Sequence, residues 1–428
     1  MAQPKILPLL LTATLCCLSA LPSRTAASGG GGGKPLVTAI TKDAATSLYT
    51  APLRDGRPLV LDLSGPLVWT TCEPEHETLE CHHRECVHAH AYHPPRCPHT
   101  GNGVADEADR FRCKCTAHPY NPSTGAAATG DLTRVALAAN ATDGRNPLRP
   151  VSFPAVASCA PDAHLAKLPA AAAGVAGLAR ARLALPAQVA RAQGVADKFA
   201  LCLPSGGGGQ GVAIFGGGPL FLLPPGGQDV TARLAGGAAL RRSPESPGYY
   251  VSAKSVAVNQ QQVPLSVHGP LAVELSSTTP YTVLRPDVYA PFVKAFDDAT
   301  AERKRVTPPA PAPFELCYDS RELGSTRLGY AVPQVDLVLE GGSNWTVFGG
   351  NSMVQVSDDT ACFAFLRMEE GKKGGYGEGA AAPAVVIGGF QMENNLLVFD
   401  EEKRQLGFSG LLFGRQTTCS NFNFTLAA

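Results

Sequence analysis

The sequence has no surplus of charge of either sign. Its 428 residues include 36 lysines and arginines and 36 aspartates and glutamates, so the formal net charge at neutral pH is zero. This balance does not favour a nucleic acid or an anionic membrane as a partner, because both attract strongly basic proteins. Hydrophobic residues make up 44% of the chain and charged residues 17%, which is typical of a globular protein with a large core.

Long apolar runs are also missing beyond the N-terminus, because glycine, proline or charge interrupts every later segment. At the N-terminus, Lys5 precedes an apolar stretch over 6–21, and small residues follow at 26–28. A charged start, a short apolar stretch and small residues at its end are typical of a secretory signal. The stretch is short for a membrane-spanning helix. We therefore predict a signal peptide over 1–27 and an extracellular protein.

The chain has thirteen cysteines, and those at positions 16 and 17 leave with the predicted signal. The remaining eleven are expected to form disulfides in a secreted protein, with one thiol left over or bonded to another molecule. The residues alone leave the pairing and the odd cysteine open. Three sequons, Asn140-Ala-Thr, Asn344-Trp-Thr and Asn423-Phe-Thr, predict N-glycosylation of an exported protein.

Seven of the ten histidines lie between residues 76 and 99, near Cys81, Cys86 and Cys97. Histidine and cysteine are zinc ligands, but this spacing matches no standard zinc motif, and cysteines in a secreted chain are expected to be oxidised. We interpret the region as an exposed loop held by disulfides and predict no metal site.

The glycine-rich stretch 206–211 has no Lys-Ser or Lys-Thr pair after it. A P-loop, which binds the phosphates of a nucleotide, needs that pair, and the stretch also lacks the glycine spacing of a dinucleotide-binding loop. We interpret the stretch as a flexible turn, and no cofactor is predicted.

Glycine and proline are abundant, with 45 and 36 residues. They divide the chain into short apolar runs, some of which alternate with polar residues, as over 332–340. Such a pattern predicts an all-β chain of many short strands. Helices are expected only around 187–195 and 286–296, each of which begins at or just after a proline.

The two halves of the chain share a faint repeat. Each half has a short polar segment followed at nearly the same spacing by a glycine segment: 62–65 and 174–178 in the first half, 275–278 and 386–390 in the second. Two lobes of similar design are the natural interpretation. We predict an N-terminal lobe over 28–230 and a C-terminal lobe over 231–428.

The segment 59–72 resembles the first catalytic motif of pepsin-like aspartic proteases, with Asp62 as the acid. The matching segment 272–281 places Leu275 at the second catalytic position. Aspartic proteolysis needs two carboxyl groups that share one proton, so we predict that Asp62 is vestigial and that the chain is not an active peptidase. Glu274 is expected to point to the opposite face of the strand from Leu275, away from the cleft.

Longer stretches resemble plant xylanase inhibitors of the wheat type, which are related to basic seven-S globulins, extracellular dermal glycoproteins and xyloglucanase inhibitors. These stretches include Gly65-Pro-Leu-Val-Trp69, Gly174-Val-Ala-Gly-Leu-Ala179, Leu185-Pro-Ala-Gln-Val-Ala190 and Tyr281-Thr-Val-Leu-Arg-Pro-Asp-Val-Tyr289. The resemblance implies a two-lobed, pepsin-like, all-β fold that is catalytically inactive. It also implies a monomer of the plant apoplast that takes part in defence and blocks microbial endoglycanases.

The resemblance further places the inhibitory contacts on two loops of the second lobe, over 323–330 and 410–419. Arg327 and Arg415 are the basic side chains that these loops offer. An arginine keeps its charge at every relevant pH and can bond a carboxylate through two parallel contacts. We therefore expect these arginines to contact the catalytic carboxylates of the target. In the same lobe, Cys317 and Cys362 are a possible disulfide pair.

The expected function is inhibition of endo-1,4-β-xylanases by loops that enter the cleft of the enzyme. Three alternatives stay open: inhibition of xyloglucan endoglucanases, residual aspartic endopeptidase activity, and a role as a storage or ligand-binding globulin. The missing second aspartate speaks against the peptidase. The sequence hardly separates the storage protein from the inhibitor.

Overall fold

The structure, a computed structural model, describes residues 33–427 except 93–104, 107–108, 146, 225–228, 244–245, 268, 309–312 and 370–382. The predicted signal peptide and Cys97 therefore lie outside the described residues.

The largest sheet has thirteen strands, and strands from both halves of the chain contribute to it. In spatial order its strands are Gly236–Ala239, Gln405–Leu411, Asn395–Asp400, Lys198–Cys202, Gly211–Phe215, Leu36–Lys42, Tyr49–Arg54, Arg57–Asp62, Gly174–Gly177, Val68–Thr70, Arg149–Cys159, Gly130–Ala141 and Thr116–Ala117. A further pairing between Leu36–Lys42 and Gly130–Ala141 curls the first-half strands toward a barrel. The strand at Lys198–Cys202 pairs with Asn395–Asp400, so the end of the chain returns to the sheet of the first half.

The second large sheet has eight strands, all from the second half. Seven follow one path, and the eighth pairs with the third of them: Asn344–Val347, Val335–Leu339, Tyr249–Val258, Leu271–Leu275, Val385–Ile387, Thr282–Leu284 and Phe365–Arg367, with Gln261–Gln262 beside Tyr249–Val258. The strand Leu271–Leu275 occupies the same place in this sheet as Arg57–Asp62 does in the first. Arg57–Asp62 pairs in parallel with a strand that ends at Gly177, and Leu271–Leu275 pairs in parallel with a strand that ends just before Gly388.

Short strands form the remaining sheets. A four-stranded sheet consists of Arg305–Val306, Cys317–Asp319, Thr360–Phe363 and Met353–Ser357. Three two-stranded hairpins pair Ser325–Thr326 with Gly329–Tyr330, Ala105–Asp106 with Asp109–Cys113, and Tyr120–Asn121 with Ala126–Ala127.

Helices are short and few among the described residues. The α-helices are Arg84–Ala89, Leu185–Gln193, Pro286–Ala299, Gly349–Ser352 and Gly389–Met392, and the 3-10 turns are Asp162–Leu165, Val230–Ala232, Ser320–Glu322, Leu412–Arg415 and Cys419–Asn421. The two helices predicted from the sequence are confirmed, with proline in the first turn of each. None of the described helices is long and apolar enough to cross a membrane.

One hydrophobic core joins the two halves. Phe199 stacks on Phe399 with ring centroids 4.6 Å apart, and Tyr249 packs against Phe399 at 4.5 Å. All three rings are fully buried, and they come from distant parts of the sequence. Aromatic pairs of this kind bury a large apolar area, so the first and second halves are packed together rather than joined by a free linker.

Ten cysteines form five disulfides: Cys72–Cys159, Cys81–Cys113, Cys86–Cys115, Cys202–Cys419 and Cys317–Cys362. Three of them hold the histidine-rich part of the first half. The structure thus contains the pair expected in the second half, Cys317–Cys362. Of the eleven cysteines beyond the predicted signal, only Cys97 is not accounted for.

Candidate functional site: the cleft and the arginine surface

The strand register in the second half shows which residue corresponds to Asp62. In the first half, Asp62 pairs in parallel with Gly177. In the second half, Leu275 pairs with Ile387, one residue before the corresponding glycine. Ser276 therefore takes the position symmetric with Asp62, and the sequence-based alignment that chose Leu275 is off by one residue.

The burial of Leu275 explains the correction. Its side chain is fully buried in the shared hydrophobic core, and its strand partner in the antiparallel direction is Tyr249. Successive side chains of a strand point to opposite faces, so Ser276 faces the cleft because Leu275 faces the core. The residue symmetric with Asp62 is thus a serine, whose hydroxyl donates to Thr279 Oγ1 at 2.9 Å. A second aspartate is still missing at this position.

The same alternation brings a carboxyl group into the cleft. Glu274 lies two residues before Ser276, on the same face of the strand, and pairs with Tyr250 on the adjacent strand. We had expected Glu274 to face away from the cleft. Its side chain does lie on the opposite face of the strand from Leu275. Because Leu275 faces the hydrophobic core, that opposite face is the cleft. Glu274 lines the cleft together with Asp62.

Ser64 connects the two carboxyl groups. Its backbone N–H donates to Asp62 Oδ1 at 2.9 Å, and its hydroxyl donates to Glu274 Oε1 at 3.2 Å. The hydroxyl of Tyr250 also hydrogen-bonds Glu274. Among the hydrogen bonds of the described residues, none joins the carboxyl group of Asp62 directly to that of Glu274. The arrangement therefore differs from an aspartic protease dyad, in which two carboxyl groups share one proton.

Both acids are nearly inaccessible to solvent, with 1% of Asp62 and 4% of Glu274 exposed. Burial raises the pKa of Asp62 to about 6, although the N–H groups of Ser64 and Gly65 lower it. The pKa of Glu274 is raised to about 7, mainly by burial and to a smaller extent by the negative charge of Asp62, although the hydrogen bonds from Ser64 and Tyr250 lower it. Glu274 is thus the more readily protonated of the two, which is the kind of pKa difference that separates a catalytic acid from a base.

A cleft of about 670 Å³ lies above these acids. The hairpin of Tyr120–Asn121 and Ala126–Ala127 borders it, where the sequence resembles the flap of a pepsin-like protease. Trp69 Nε1 donates to the carbonyl oxygen of Tyr120 at 3.0 Å and fixes the base of this hairpin. The cleft is large enough for part of an extended substrate chain.

Arg327 lies in the turn of the hairpin Ser325–Thr326 and Gly329–Tyr330, and its side chain is exposed. Thr326 Oγ1 fixes this turn, since it accepts from the N–H of Leu328 and donates to the carbonyl of Gly329, both at 3.0 Å. The guanidinium is therefore presented on a well-defined turn.

Arg415 ends the 3-10 turn Leu412–Arg415 and is half-buried. Its guanidinium donates to the carbonyl oxygen of Arg233 at 2.6 Å. The two arginine loops are neighbours, because a Cβ atom added to Gly414 would lie 3.5 Å from Leu328 Cδ2. We call the two loops 323–330 and 410–419 together the arginine surface. It shares no lining residue with the cleft.

The predicted glycosylation sites lie on different parts of the described chain. Asn344 and Asn423 are exposed, whereas Asn140 is half-buried near the end of the strand Gly130–Ala141. Glycosylation at all three stays a prediction.

Two of the three His/Cys/Asp/Glu groupings in the described residues consist of a histidine beside a disulfide: His76 with Cys72–Cys159, and His90 with Cys86–Cys115. Oxidised cysteines offer no thiolate to a metal, so these groupings are not zinc sites. The third grouping, Glu80, His82 and His83, is on the surface, and exposed groups of this kind do not by themselves indicate a metal site.

Two family patterns match the chain, one in each half. The pattern described as Xylanase inhibitor N-terminal matches residues 49–217, and the pattern described as Xylanase inhibitor C-terminal matches residues 248–410. The chain belongs to the xylanase inhibitor family. The resemblance inferred from the sequence is thereby confirmed, together with the two-lobed, pepsin-like all-β fold.

Members of the xylanase inhibitor family carry diverse names. A protein of rice (Oryza sativa subsp. japonica) that is named Chitinase CLP is 70% identical to this chain, over 99% of this chain and 100% of its own length. A Nicotiana benthamiana protein named Probable aspartic proteinase GIP2 is 33% identical over 97% of this chain and 98% of its own. The crystal structure titled edgp has a TM-score of 0.78 at 30% identity, and covers 94% of this chain and 100% of its own.

Proposed function

We propose that the protein is an extracellular inhibitor of microbial glycoside hydrolases, with endo-1,4-β-xylanases as the first target class and xyloglucan endoglucanases as the second. The observation that carries the proposal is that the two loops of the arginine surface lie side by side at Leu328 and Gly414, where a Cβ atom added to Gly414 would be 3.5 Å from Leu328 Cδ2. The family patterns that match the two halves of the chain are both described as parts of a xylanase inhibitor. The proposed mode of action is occlusion of the target's cleft by this surface.

Arg327 is the side chain best placed to reach the target. It is exposed at a turn tip, whereas the guanidinium of Arg415 is held by the carbonyl of Arg233. A glycosidase cleft contains two carboxyl groups, about 5 to 9.5 Å apart, and a guanidinium can bond one of them through two parallel N–H groups. In this proposal Arg327 enters the target's cleft, and Arg415 shapes the surface beside it.

The proposed location is the apoplast, and the proposed state is a monomer. Five disulfides fit an oxidising compartment. The signal-like N-terminus and three sequons point the same way.

Titration of purified protein against a panel of microbial xylanases of family 11 and glucanases of family 12 tests the inhibitor proposal. Stoichiometric loss of enzyme activity at micromolar or lower protein is the expected result. Full activity of every enzyme at ten micromolar inhibitor would refute it and leave the storage-globulin alternative.

The cleft favours a second candidate function, hydrolysis of chitin. The relative at 70% identity is named a chitinase, and the cleft contains two carboxyl groups, Asp62 and Glu274, as glycoside hydrolysis requires. Release of reducing ends from chitin oligosaccharides by the purified protein is the measurement. An aspartic peptidase is less well supported, because Ser64 lies between the two carboxyl groups.

A further inference from the structure

We propose that Glu274 is the proton donor and Asp62 the base of a glycosidic-bond hydrolysis site in the cleft between the lobes. This inference rests on the second candidate function, chitin hydrolysis, and assigns its catalytic residues. It rests on the side chains that Asp62, Ser64 and Glu274 bring into one cavity.

The hydrogen-bond partners of each acid decide its role. Asp62 accepts backbone N–H groups from Ser64 and Gly65. A backbone N–H can only donate, so these contacts favour the ionised carboxylate, which is the form that a base needs. Asp62 is thus held ready to take a proton from water.

Glu274 has partners of a different kind. Its carboxyl group contacts the hydroxyls of Ser64 and Tyr250. A hydroxyl can donate or accept, so these partners tolerate both the protonated and the ionised carboxyl group. Its higher pKa, about 7 against about 6 for Asp62, keeps Glu274 protonated at a pH at which a large part of Asp62 is ionised. This is the state that a general acid requires before it reacts.

The serine between the acids suits hydrolysis of a glycosidic bond. Two carboxyl groups in direct contact would share one proton, as in aspartic proteases. Here the contact passes through Ser64. Glycosidases likewise use two carboxyl groups that do not share a proton, and both acids here line the cavity in which a sugar would lie.

The reaction balances with water as the only co-reactant. Glu274 gives its proton to the glycosidic oxygen as the bond from that oxygen to the anomeric carbon breaks. Asp62 removes a proton from water, and the resulting hydroxyl bonds to the anomeric carbon. The proton on Asp62 then returns to Glu274 through solvent, so both acids recover their starting forms.

The lining of the cleft fits an uncharged sugar chain. Hydroxyl groups come from Ser64, Ser276, Thr124 and Thr279, and apolar surface comes from Met368 and several prolines. The charged or titratable groups that line the cleft or contact its acids are Asp62, Glu274, Lys167, Tyr120 and Tyr250. One lysine against two acids gives no reason for an anionic substrate, which favours a neutral oligosaccharide such as chitotetraose.

The test compares Glu274→Gln and Asp62→Asn with wild type on chitotetraose, with thermal unfolding as the check on folding. Each variant should lose about 10²- to 10⁴-fold in kcat. The exposed Glu75→Gln is the matched control and should keep full activity. A second substrate, 4-nitrophenyl chitobioside, has a leaving group that needs little protonation. Glu274→Gln should therefore lose much less on it, whereas Asp62→Asn should lose similarly on both.

Each outcome decides. Hydrolysis by wild type together with near-normal rates for folded Glu274→Gln or Asp62→Asn overturns the residue assignment and leaves chitin hydrolysis standing elsewhere on the chain. Equal losses of Glu274→Gln on both substrates overturn its role as proton donor. No hydrolysis by wild type between pH 4 and pH 7 overturns the second candidate function and the assignment with it, while the inhibitor proposal is unaffected.

Discussion

The hydroxyl of Ser277 donates to the carbonyl oxygen of Leu61 at 2.7 Å and accepts from the N–H of Leu63 at 3.1 Å. One second-half side chain thus satisfies both backbone groups that flank Asp62. All of these groups are buried. The contact joins the two lobes at the floor of the cleft and fixes the position of Asp62 relative to Glu274, three residues before Ser277.

We expect Ser277→Ala to destabilise the protein by about 1–3 kcal/mol, because it leaves a buried donor and a buried acceptor without a partner. Urea unfolding of the variant and wild type measures the change. Ser325→Ala, on an exposed hairpin strand, is the control and should stay within about 0.5 kcal/mol of wild type. An unfolding midpoint for Ser277→Ala equal to that of the control would contradict the role given to this contact.

The sequence predicts the fold well, because the punctuation by glycine and proline and the family motifs extend along most of the chain. The two longer helices are found at Leu185–Gln193 and Pro286–Ala299, close to their predicted positions. The short helix Arg84–Ala89 was missed, because it lies in a segment dominated by histidine and cysteine rather than by an apolar periodicity.

The site was harder to predict, because a strand shows its face only through its register. A shift of one residue exchanges the two faces of a strand, and the alignment of Leu275 with Asp62 made that shift. As a result, Glu274 was predicted to face away from the cleft, whereas its side chain lines the cleft. One residue of the sequence could have indicated the correct register. Ser277 has the hydroxyl that bonds the backbone on both sides of Asp62, and it directly follows Ser276, the residue symmetric with Asp62.

The raised pKa values of the cleft acids predict a stability that falls as pH rises. Between the ordinary glutamate value of 4.5 and about 7, folded Glu274 retains a proton that the unfolded chain has lost. The unfolded state then binds fewer protons, so the free energy of unfolding decreases with rising pH. In Glu274→Gln this contribution disappears, and the decrease from pH 4 to pH 8 should be smaller by on the order of 3 kcal/mol.

Urea unfolding of wild type and Glu274→Gln at pH 4, 6 and 8 measures this difference. Burial also raises the pKa values of Glu393 and Glu401, but those groups are present in both proteins and cancel in the comparison. Glu75→Gln, at an exposed position, should follow the wild-type curve. Parallel curves for wild type and Glu274→Gln would mean that the carboxyl group is not held protonated in the folded state.

Loss of Arg327 should weaken inhibition more than loss of any other arginine on the arginine surface. An interface hot spot is worth about 2–4 kcal/mol, so Arg327→Ala should raise the inhibition constant by roughly 30-fold or more. Arginine keeps its charge between pH 4 and pH 8. As far as the inhibitor is concerned, the substitution should therefore raise the inhibition constant by the same factor at pH 4 and at pH 8. The inhibition constant of each variant against one inhibited xylanase measures it.

Arg415→Ala should have a smaller effect, because that guanidinium already bonds the carbonyl of Arg233. Arg57→Ala, at an exposed arginine of the first half, is the matched control and should inhibit like wild type. Unchanged inhibition by both Arg327→Ala and Arg415→Ala would exclude the arginine surface as the contact and leave the family assignment intact.

The disulfide Cys202–Cys419 should support both stability and inhibition. It ties the segment after Arg415 to a strand of the first half across a sequence separation of 217 residues. Replacing both cysteines by alanine should cost about 2–5 kcal/mol of unfolding free energy and raise the inhibition constant, because the turn with Arg415 loses its anchor. The same replacement of Cys86 and Cys115, far from the arginine surface in sequence, should lower stability alone. An inhibition constant that stays at the wild-type value in the first variant, measured well below its unfolding temperature, would show that the anchor is not needed for binding.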